Sequence, residues 1–375
     1  MTQKFASRLG GIQISMIRQI MDRAAGCVNL GIGEPDFFAP ANVRREACRI
    51  VQEEKIPYSP NAGLLDLRSA VHAWHGSPPG HSVCVCNGSQ EALFDLLFAL
   101  VDPGDEVLVP NPGFVAYPVI VRLAGGIPVS YRLDPTADFT LDRDHLAACF
   151  SDRTRIMILN TPSNPTGRCL TYSDLEFLCG LAEAHGTVLI SDEIYREIYY
   201  TDQRPPTILD ASRRAVVVSG VSKMACMTGW RVGWACGPTE IIEKMTVMHQ
   251  YTSSCASTLG QRAALEVFTE EGQAGIEEVR LKLADNARLL CGFLRDELGR
   301  RFVQPEGAFY LMLDVRDTGR DSLSVALDLL KDGVATIPGA AFGSEGEGFL
   351  RLSFACEQPT LLEGLGRLKR SRVFR

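Results

Sequence analysis

The chain has 375 residues, too many for one small hydrophobic core, and we expect two domains or one large domain with an appendage. The composition, with 46% hydrophobic and 22% charged residues, is that of an ordinary folded protein, and the net charge of −7 gives no basic surface for a nucleic acid. No apolar run reaches the roughly 20 residues that span a bilayer, and no signal peptide is recognisable, so we expect no membrane partner and a cytoplasmic location.

The N-terminal part of the chain predicts one helix, over residues 15–25. This helix has few neighbours in sequence that could cover its apolar face. We therefore expect it to pack against a smaller domain or against a second subunit.

Between residues 83 and 236, short apolar runs alternate with helical patterns. The predicted strands are residues 83–86, 106–109, 127–131, 155–159, 188–191, 215–219 and 232–236. Helices are predicted between several of them, for example over residues 89–101 and 173–185. Uninterrupted apolar strands separated by helices are typical of a mostly parallel sheet that is covered by helices on both faces.

The remainder of the chain has a different pattern. Residues 259–298 predict helices in which charged and apolar residues are mixed. After residue 300, strands predicted at 308–313 and 349–353 are combined with helices predicted at 323–331 and 361–369. This mixture indicates a smaller α+β domain.

Twelve cysteines are scattered along the chain, and none of them forms a C-x-x-C pair. Cys84 and Cys86 alternate with valines, so on a strand both thiols would point to one face. Small buried hydrophobic residues are the better interpretation of these thiols. His72 and His75 are three residues apart on a predicted helix, but no nearby carboxylate or thiol supports them, and we predict no metal site.

The segment from Ser222 to Gly233 combines a lysine, an arginine and two glycines directly after a predicted strand, at residues 215–219. Lys223 is therefore expected in a loop at a strand end, where parallel sheets bind ligands. A partly buried lysine near other cations has a lowered pKa and can act as an amine nucleophile. Arg231 offers a planar fork for a phosphate, and Ser222 a hydroxyl. Taken alone, one lysine and one arginine in a loop are more often solvent-exposed surface residues than parts of a ligand site.

A charged residue follows the apolar strand predicted at 188–191. Asp192 is costly there unless a cation pairs with it, and a protonated pyridine nitrogen is such a cation. Tyr195, three residues later, could reach the phenolic oxygen of the same ring. A plain N-cap aspartate at a strand-to-helix turn is the alternative interpretation.

Two further polar segments follow predicted strands. Gly88 and Ser89 open an apolar helix, and the free N–H groups of a helix start bind anions, although a plain serine cap is common. Residues 160–167 read N-T-P-S-N-P-T-G, a rigid loop that can present the Asn164 amide to a ligand.

Together these segments carry three motifs, S-K-x5-G-x-R-x-G, D-E-x-Y and N-x-P-x-N-P-T-G. In this order the chain resembles the class I/II aminotransferases, which are aspartate-aminotransferase-like enzymes of pyridoxal-5′-phosphate (PLP) fold type I, over nearly its whole length. The resemblance implies an α/β fold with a large domain at residues 36–265, whose mostly parallel sheet is sandwiched by helices. It also implies a small α+β domain made of residues 1–35 and 266–375.

The resemblance implies a role for each motif residue. Lys223 would bind PLP covalently, Asp192 would pair with the pyridine nitrogen, and Tyr195 and Asn164 would contact the ring oxygen. Phe114 would stack on the ring. The residues implied to hold the phosphate are Gly88, Ser89, Gln90, Ser222 and Arg231, with Ser219 as a further contact.

Three more positions resemble the family. Gly33 would donate its backbone N–H to the substrate α-carboxylate, and Arg351 would grip the same group with two hydrogen bonds. Tyr58 would reach the phosphate of a neighbouring subunit, which implies a homodimer. Gly31 and Gly33 might also suggest a dinucleotide loop, but the third glycine is missing and Pro35 interrupts the helix start.

The function implied is the transfer of an amino group between an L-amino acid and a 2-oxo acid by a ping-pong mechanism. A PLP-dependent C–S lyase or another elimination or synthase enzyme of the same fold is the alternative, and a non-catalytic PLP-binding regulator is disfavoured. The substrate stays open. Ser89 stands where some bacterial aspartate aminotransferases carry a lysine, and residues 12–15 are mostly apolar. Aliphatic, alanine-like and aromatic donors are therefore as consistent with the chain as acidic ones.

Overall fold

The computed structural model describes residues 5–374 and contains thirteen α-helices and thirteen strands within that range. The strands are β1 Val28–Asn29, β2 His81–Cys86, β3 Glu106–Asn111, β4 Ile127–Asp134, β5 Thr140–Leu141, β6 Thr154–Asn160, β7 Val188–Asp192, β8 Val216–Gly220, β9 Gly233–Pro238, β10 Tyr310–Asp314, β11 Val334–Ala335, β12 Ile337–Pro338 and β13 Phe349–Ser353. The helices are α1 Met16–Met21, α2 Ala41–Glu53, α3 Leu65–Trp74, α4 Ser89–Leu100, α5 Ala116–Leu123, α6 Arg143–Ala148, α7 Tyr172–His185, α8 Val221–Met224, α9 Thr239–Thr252, α10 Thr258–Leu265, α11 Glu270–Gly292, α12 Ser322–Lys331 and α13 Gln358–Arg370.

The central sheet has eight strands in the order β2-β9-β8-β7-β6-β3-β4-β5. The five strands from β8 to β4 are parallel, as predicted, whereas β9 runs antiparallel to both of its neighbours and β5 antiparallel to β4. The connection from β8 to β9 holds no helix longer than the four residues of α8. A parallel return needs a longer crossover, so the chain comes back antiparallel.

Helices cover both faces of this sheet. On one face, Leu93 and Leu96 of α4 and Met245 of α9 pack against inward-facing strand residues such as Val218. On the other face, Leu175 and Leu178 of α7 pack with Val217. The strands of the sheet centre are buried on both sides, which explains why they read as uninterrupted apolar runs. The predicted sandwich of helices around a sheet is confirmed.

A second, three-stranded sheet in the order β10-β13-β12 lies in the C-terminal part of the chain and packs with α11, α12 and α13 around a separate core. The N-terminal segment joins this part, because β1 pairs in parallel with β11. This pairing agrees with a small domain built from both chain ends. The domain boundaries stay a prediction, and residues 1–4 and 375 of the predicted small domain lie outside the described residues.

The N-terminal helix is shorter than predicted. The Ser15 hydroxyl caps its start by accepting from the Arg18 N–H, and the helix ends at Met21 instead of residue 25. Ile20 packs with Ile337 and Phe342, so the helix contacts the C-terminal part as expected. In the described part of the chain, no helix combines the length and the apolar character needed to cross a membrane.

Candidate active site

The site lies where the parallel strands of the central sheet end. Asn160 is the last residue of β6, Asp192 the last of β7, and Gly220 of β8 leads directly into α8 with Lys223. Carboxyl ends of parallel strands meet at one edge of a sheet, so motifs far apart in sequence come together there. They surround a cavity of about 300 Å³.

Most of the residues predicted for the site line this cavity. They are Gly33, Ser89, Gln90, Phe114, Asn164, Asp192, Tyr195, Ser222, Lys223, Arg231 and Arg351. Gly88, Ser219 and Tyr58 do not line it. Ile17, Leu93, Tyr117, Asn160, Ile194 and Tyr310 line it without having been predicted.

Lys223 lies in the short helix α8 and not in a loop, which corrects the sequence prediction. The chain turns into a helix immediately after the extended Gly220, and this fixes the lysine at the strand end. Its Nζ donates a hydrogen bond to the Gly33 carbonyl at 2.8 Å. Burial, together with the positive charges of Arg231 and Arg351, lowers the pKa of Lys223 to about 8, although the negative charge of Glu34 opposes this change. A substantial share of the amine is therefore neutral near pH 8, as a nucleophile or base requires.

The Asp192 carboxylate is buried, with 4% of the residue exposed. It accepts hydrogen bonds from the Tyr117 hydroxyl at 2.8 Å and from the Ile194 backbone N–H at 3.2 Å. Burial raises the pKa of Asp192 to about 6, and these hydrogen bonds and the Lys223 charge only partly oppose that rise. A cation next to this carboxylate would stabilise its charged form.

Tyr117 was missed in the sequence, although a signal exists. It stands three residues after Phe114, and the two rings meet edge to face with centroids 5.5 Å apart. Residues three apart at a helix start share one face. Phe114, which is predicted to stack on the ring, therefore shares a face with Tyr117, and Tyr117 reaches Asp192 from that side.

Tyr195 and Asn164 take part in hydrogen bonds with two further residues. The Tyr195 and Tyr310 hydroxyls are 2.9 Å apart. The Asn164 backbone N–H donates to the Asn160 side chain at 2.8 Å, which fixes the loop after β6. Burial raises the pKa of Tyr195 well above its usual range, so the phenol is neutral at ordinary pH and can donate a hydrogen bond to a ligand oxygen.

We call Gly88, Ser89, Gln90, Ser222 and Arg231 the Arg231 region. Helix α4 starts at Ser89 and has no side-chain cap, so its first N–H groups are free for an anion. The Arg231 guanidinium donates to the backbone carbonyls of Thr228 at 2.9 Å and Asn87 at 3.0 Å.

Gly88 makes the close approach of Arg231 possible. Its φ is +96°, and a Cβ at this position would overlap with the guanidinium. The Ser219 side chain does not line the cavity, and its hydroxyl donates to the Glu193 carbonyl at 3.3 Å. A role of Ser219 in binding stays a prediction without a cavity contact to support it.

We call Gly31, Gly33, Tyr310, Phe342 and Arg351 the Arg351 region. Only 2% of Arg351 is exposed, and its guanidinium carbon lies 4.3 Å from the Tyr310 ring centroid and 4.7 Å from that of Phe342. Its two terminal nitrogens donate to the Asn164 side-chain oxygen at 2.8 Å and to the Gly31 carbonyl at 2.6 Å.

No carboxylate of residues 5–374 lies within 4.0 Å of Arg351, and its Nε has no partner there. A buried guanidinium without a counter-ion is costly, and an arriving carboxylate would relieve that cost. The region therefore suits an anion that enters with the substrate.

Tyr58 is 91% exposed and lies outside the cavity of its own chain. The loop that carries it is attached to neighbouring segments. Thr258 donates to the Pro57 carbonyl at 2.7 Å, and the Asn61 amide donates to the Ser254 carbonyl at 2.6 Å. The phenol is thus presented outward from a fixed backbone.

The cavity residues fit PLP. The Arg231 region offers backbone N–H groups, a hydroxyl and a guanidinium to a phosphate, with a glycine at the point of closest approach. The buried Asp192 carboxylate can pair with a protonated ring nitrogen, and the Lys223 amine lines the same cavity.

Comparison with known proteins agrees with this geometry. Residues 25–368 match the family model of aminotransferase class I and II. An aspartate aminotransferase of Pyrococcus abyssi is 36% identical over 97% of both chains, and aromatic-amino-acid aminotransferase 2 of Thermococcus litoralis is 34% identical over 97% of both. The structure of Thermus thermophilus aspartate aminotransferase with maleate superposes with a TM-score of 0.92 at 34% identity, covering 98% of this chain and 100% of that one.

These matches confirm the predicted fold and activity, and nothing in them favours the lyase alternative. The amino acid and 2-oxo acid substrates follow from the family, whose members depend on PLP. The chain belongs to the class I and II aminotransferases and is a PLP-dependent aminotransferase.

Proposed function

We propose that the amino donors of this aminotransferase are L-amino acids with apolar side chains, aliphatic or aromatic. The observation that carries this proposal is the distribution of cations in the cavity. Three cationic side chains line it, those of Lys223, Arg231 and Arg351. In the roles proposed below, each serves the cofactor or the α-carboxylate, and no cation of the described lining is left for a side-chain carboxylate.

The other walls support the same substrate class. Ile17, Leu93 and Tyr310 give the cavity apolar surface, and Ser89 adds no charge at the position where some bacterial aspartate aminotransferases carry a lysine. Burying an ionised carboxylate without a partner is costly, whereas burying an apolar side chain is favourable. Acidic donors are therefore expected to be poorer substrates.

In the proposed catalytic arrangement, Asp192 would pair with the ring nitrogen of PLP. When bound, PLP supplies an electron sink that makes the substrate Cα–H acidic. Asp192, held by Tyr117 and the Ile194 N–H, keeps the ring nitrogen protonated. Tyr195 and Asn164 orient the ring through its oxygen.

Lys223 is assigned the proton transfer at the substrate Cα. Its pKa of about 8 leaves a neutral amine available for this step. The short helix α8 fixes the backbone of Lys223, so the amine can move only as far as the lysine side chain extends. Arg351 holds the α-carboxylate with two parallel hydrogen bonds and turns the Cα–H bond toward Lys223.

The test is a panel of donors with pyruvate or 2-oxoglutarate as the acceptor. We expect kcat/KM for phenylalanine and leucine to exceed that for aspartate and glutamate by about tenfold or more, because an unpaired buried charge costs more than a methylene contributes. The Ser89→Lys variant is the matched comparison and should raise kcat/KM for aspartate. Wild-type preference for aspartate, with no gain from a lysine at position 89, would contradict the proposed substrate class.

We also propose a homodimer, in which Tyr58 of each chain completes the Arg231 region of the other. Apolar side chains exposed near this tyrosine support it, since Ile56, Leu65 and Tyr251 are at least 44% exposed. Tyr251 lies on α9, close in sequence to Ser254, which binds the loop of Tyr58. Such a surface is typical of an interface.

Sedimentation at enzyme concentrations used in assays tests the dimer. One species of twice the 41.0 kDa chain mass is expected to carry the activity. An active monomer would contradict the role of Tyr58. A cytoplasmic location stays a prediction from the sequence.

A further inference from the structure

Below the Arg231 region, a buried cluster joins helices α4 and α9. Asp95 and His249 are fully buried, and the His249 Nδ1 lies 3.1 Å from an Asp95 carboxylate oxygen. The same nitrogen lies 3.6 Å from a Glu91 oxygen. Thr252 donates to the other Asp95 oxygen at 2.9 Å. None of these side chains lines the cavity.

Glu91 connects this cluster to the turn before α4. One of its oxygens accepts from the Asn87 backbone N–H at 2.5 Å and from the Asn87 side-chain amide at 3.0 Å. The Asn87 carbonyl in turn accepts from the Arg231 guanidinium at 3.0 Å. Hydrogen bonds therefore connect Glu91 through Asn87 to Arg231, and His249 joins this path through its 3.6 Å charged contact with Glu91.

The charges of the cluster also affect anion binding in the Arg231 region. Glu91 and Asp95 are two carboxylates on the helix whose N-terminus faces the proposed phosphate, and their field opposes a bound anion. Burial by itself lowers the pKa of His249, but the hydrogen bond to Asp95 and the surrounding acids outweigh it and raise the pKa. A protonated His249 offsets one of the two negative charges.

The cluster also resembles a metal site, because ligand atoms of Cys86, Glu91, Asp95 and His249 all lie within 4.8 Å of one another. No spacing in the sequence predicts this grouping. The carboxylates, however, already accept hydrogen bonds from Thr252, His249 and Asn87. Groups bound in this way form a hydrogen-bonded charge network rather than a set of free ligands.

We propose that His249 is a positioning residue for the phosphate of the cofactor, which it supports through Glu91 and Asn87 and by offsetting the charge of Asp95. The inference rests on the proposed role of the Arg231 region in phosphate binding. It predicts that loss of His249 weakens the binding of PLP through the phosphate alone.

The test compares the affinity of the apoenzyme for PLP and for pyridoxal, which lacks the phosphate. In His249→Gln, the ratio of the two affinities should fall by about tenfold, the lower end of what a lost supporting partner costs at a ligand site. His75→Gln is the matched control. His75 is also a buried histidine of the large sheet region, with its ring held by Trp234 at 2.9 Å, and it has no path to Arg231 among the described contacts. Its ratio should stay that of the wild type.

Arg231→Ala separates this inference from the proposal on which it depends. If the ratio collapses in Arg231→Ala but stays within about twofold of wild type in His249→Gln, the role of His249 is wrong and the phosphate site stands. If the ratio is unchanged in Arg231→Ala, the phosphate site itself is wrong. Should His249→Gln fail to fold, the smaller His249→Asn gives the same comparison, with thermal unfolding as the check on folding.

Discussion

The two arginines of the cavity are held in opposite ways. Arg231 is exposed, and the partners that it contacts are backbone carbonyls of nearby turns. Arg351 is buried between two aromatic rings, with a side-chain amide and one carbonyl as partners. The first is positioned by backbone carbonyls from two separate segments of the chain, and the second by packing between aromatic side chains. Water screens the charge of Arg231, so this charge costs little when no anion is bound. The buried charge of Arg351 is costly until an anion pairs with it.

The largest effect is expected where the guanidinium is buried. Arg351→Lys replaces the fork by a point charge and leaves the Asn164 oxygen or the Gly31 carbonyl without its donor. We expect kcat/KM for the amino acid to fall about 100-fold to 1000-fold, which corresponds to about 3–4 kcal/mol. Steady-state kinetics and the affinity for PLP are measured together.

The affinity for PLP is the control in this experiment, because Arg351 is not assigned to the cofactor. An equal loss of cofactor affinity and of kcat/KM would mean that the two regions are not separate. Unchanged kinetics would remove Arg351 from substrate binding.

A smaller effect is expected at the carboxylate that pairs with the ring nitrogen. Tyr117→Phe removes a hydrogen bond that stabilises the charged form of Asp192, so the pKa of Asp192 rises. When the solution is acidified, Asp192 then becomes protonated at a higher pH than in the wild type. We expect kcat to fall about tenfold and the acid limb of its pH profile to move to higher pH.

Tyr131→Phe serves as the control for this variant. The Tyr131 hydroxyl is also buried, but it donates to the Ile158 carbonyl at 2.9 Å and does not line the cavity. Its removal should affect stability without moving the acid limb. The same shift in both variants would show that Tyr117 acts only through the stability of the fold.

The smallest effect is expected at Glu34, an exposed residue whose charge raises the pKa of Lys223. In Glu34→Gln this pKa should fall further below its usual value, by a fraction of a pH unit because water screens an exposed charge. The rate at which the apoenzyme captures PLP rises with pH as Lys223 loses its proton, so the midpoint of that rise should move to lower pH. The cofactor's own ionisation is common to both proteins. A midpoint that moves upward would contradict the electrostatic account of Lys223.

Much of the Arg231 region could be predicted from the sequence, because its residues belong to short motifs at strand ends. Gly88, Ser89 and Gln90 are consecutive, and Arg231 follows Lys223 within one motif. The parallel sheet then brings such strand ends to one edge. Local geometry is harder to predict: the sequence predicts a loop where the short helix α8 lies, and the Ser219 hydroxyl donates to Glu193 instead of pointing into the cavity.

The Arg351 region could be anticipated only by resemblance. Gly31, Tyr310 and Arg351 come from distant segments, and no spacing in the sequence indicates that two aromatic rings enclose the guanidinium. Tyr310 was missed for the same reason, since its contact with Tyr195 arises from packing. Asn160, in contrast, lies four residues before Asn164 in the same motif, so its local hydrogen bond was open to prediction. The cluster around His249 joins two helices through residues that are 154 positions apart in sequence, which periodicity alone cannot pair.

The central claim is that Lys223 is the residue that binds the cofactor covalently. Reducing the PLP-loaded enzyme with borohydride makes that linkage permanent, and mass spectrometry of its peptides then locates it. The account predicts one added cofactor mass on the peptide that contains Lys223, and none in Lys223→Ala, which should also be inactive. An added mass on another lysine, or an active alanine variant, would contradict it.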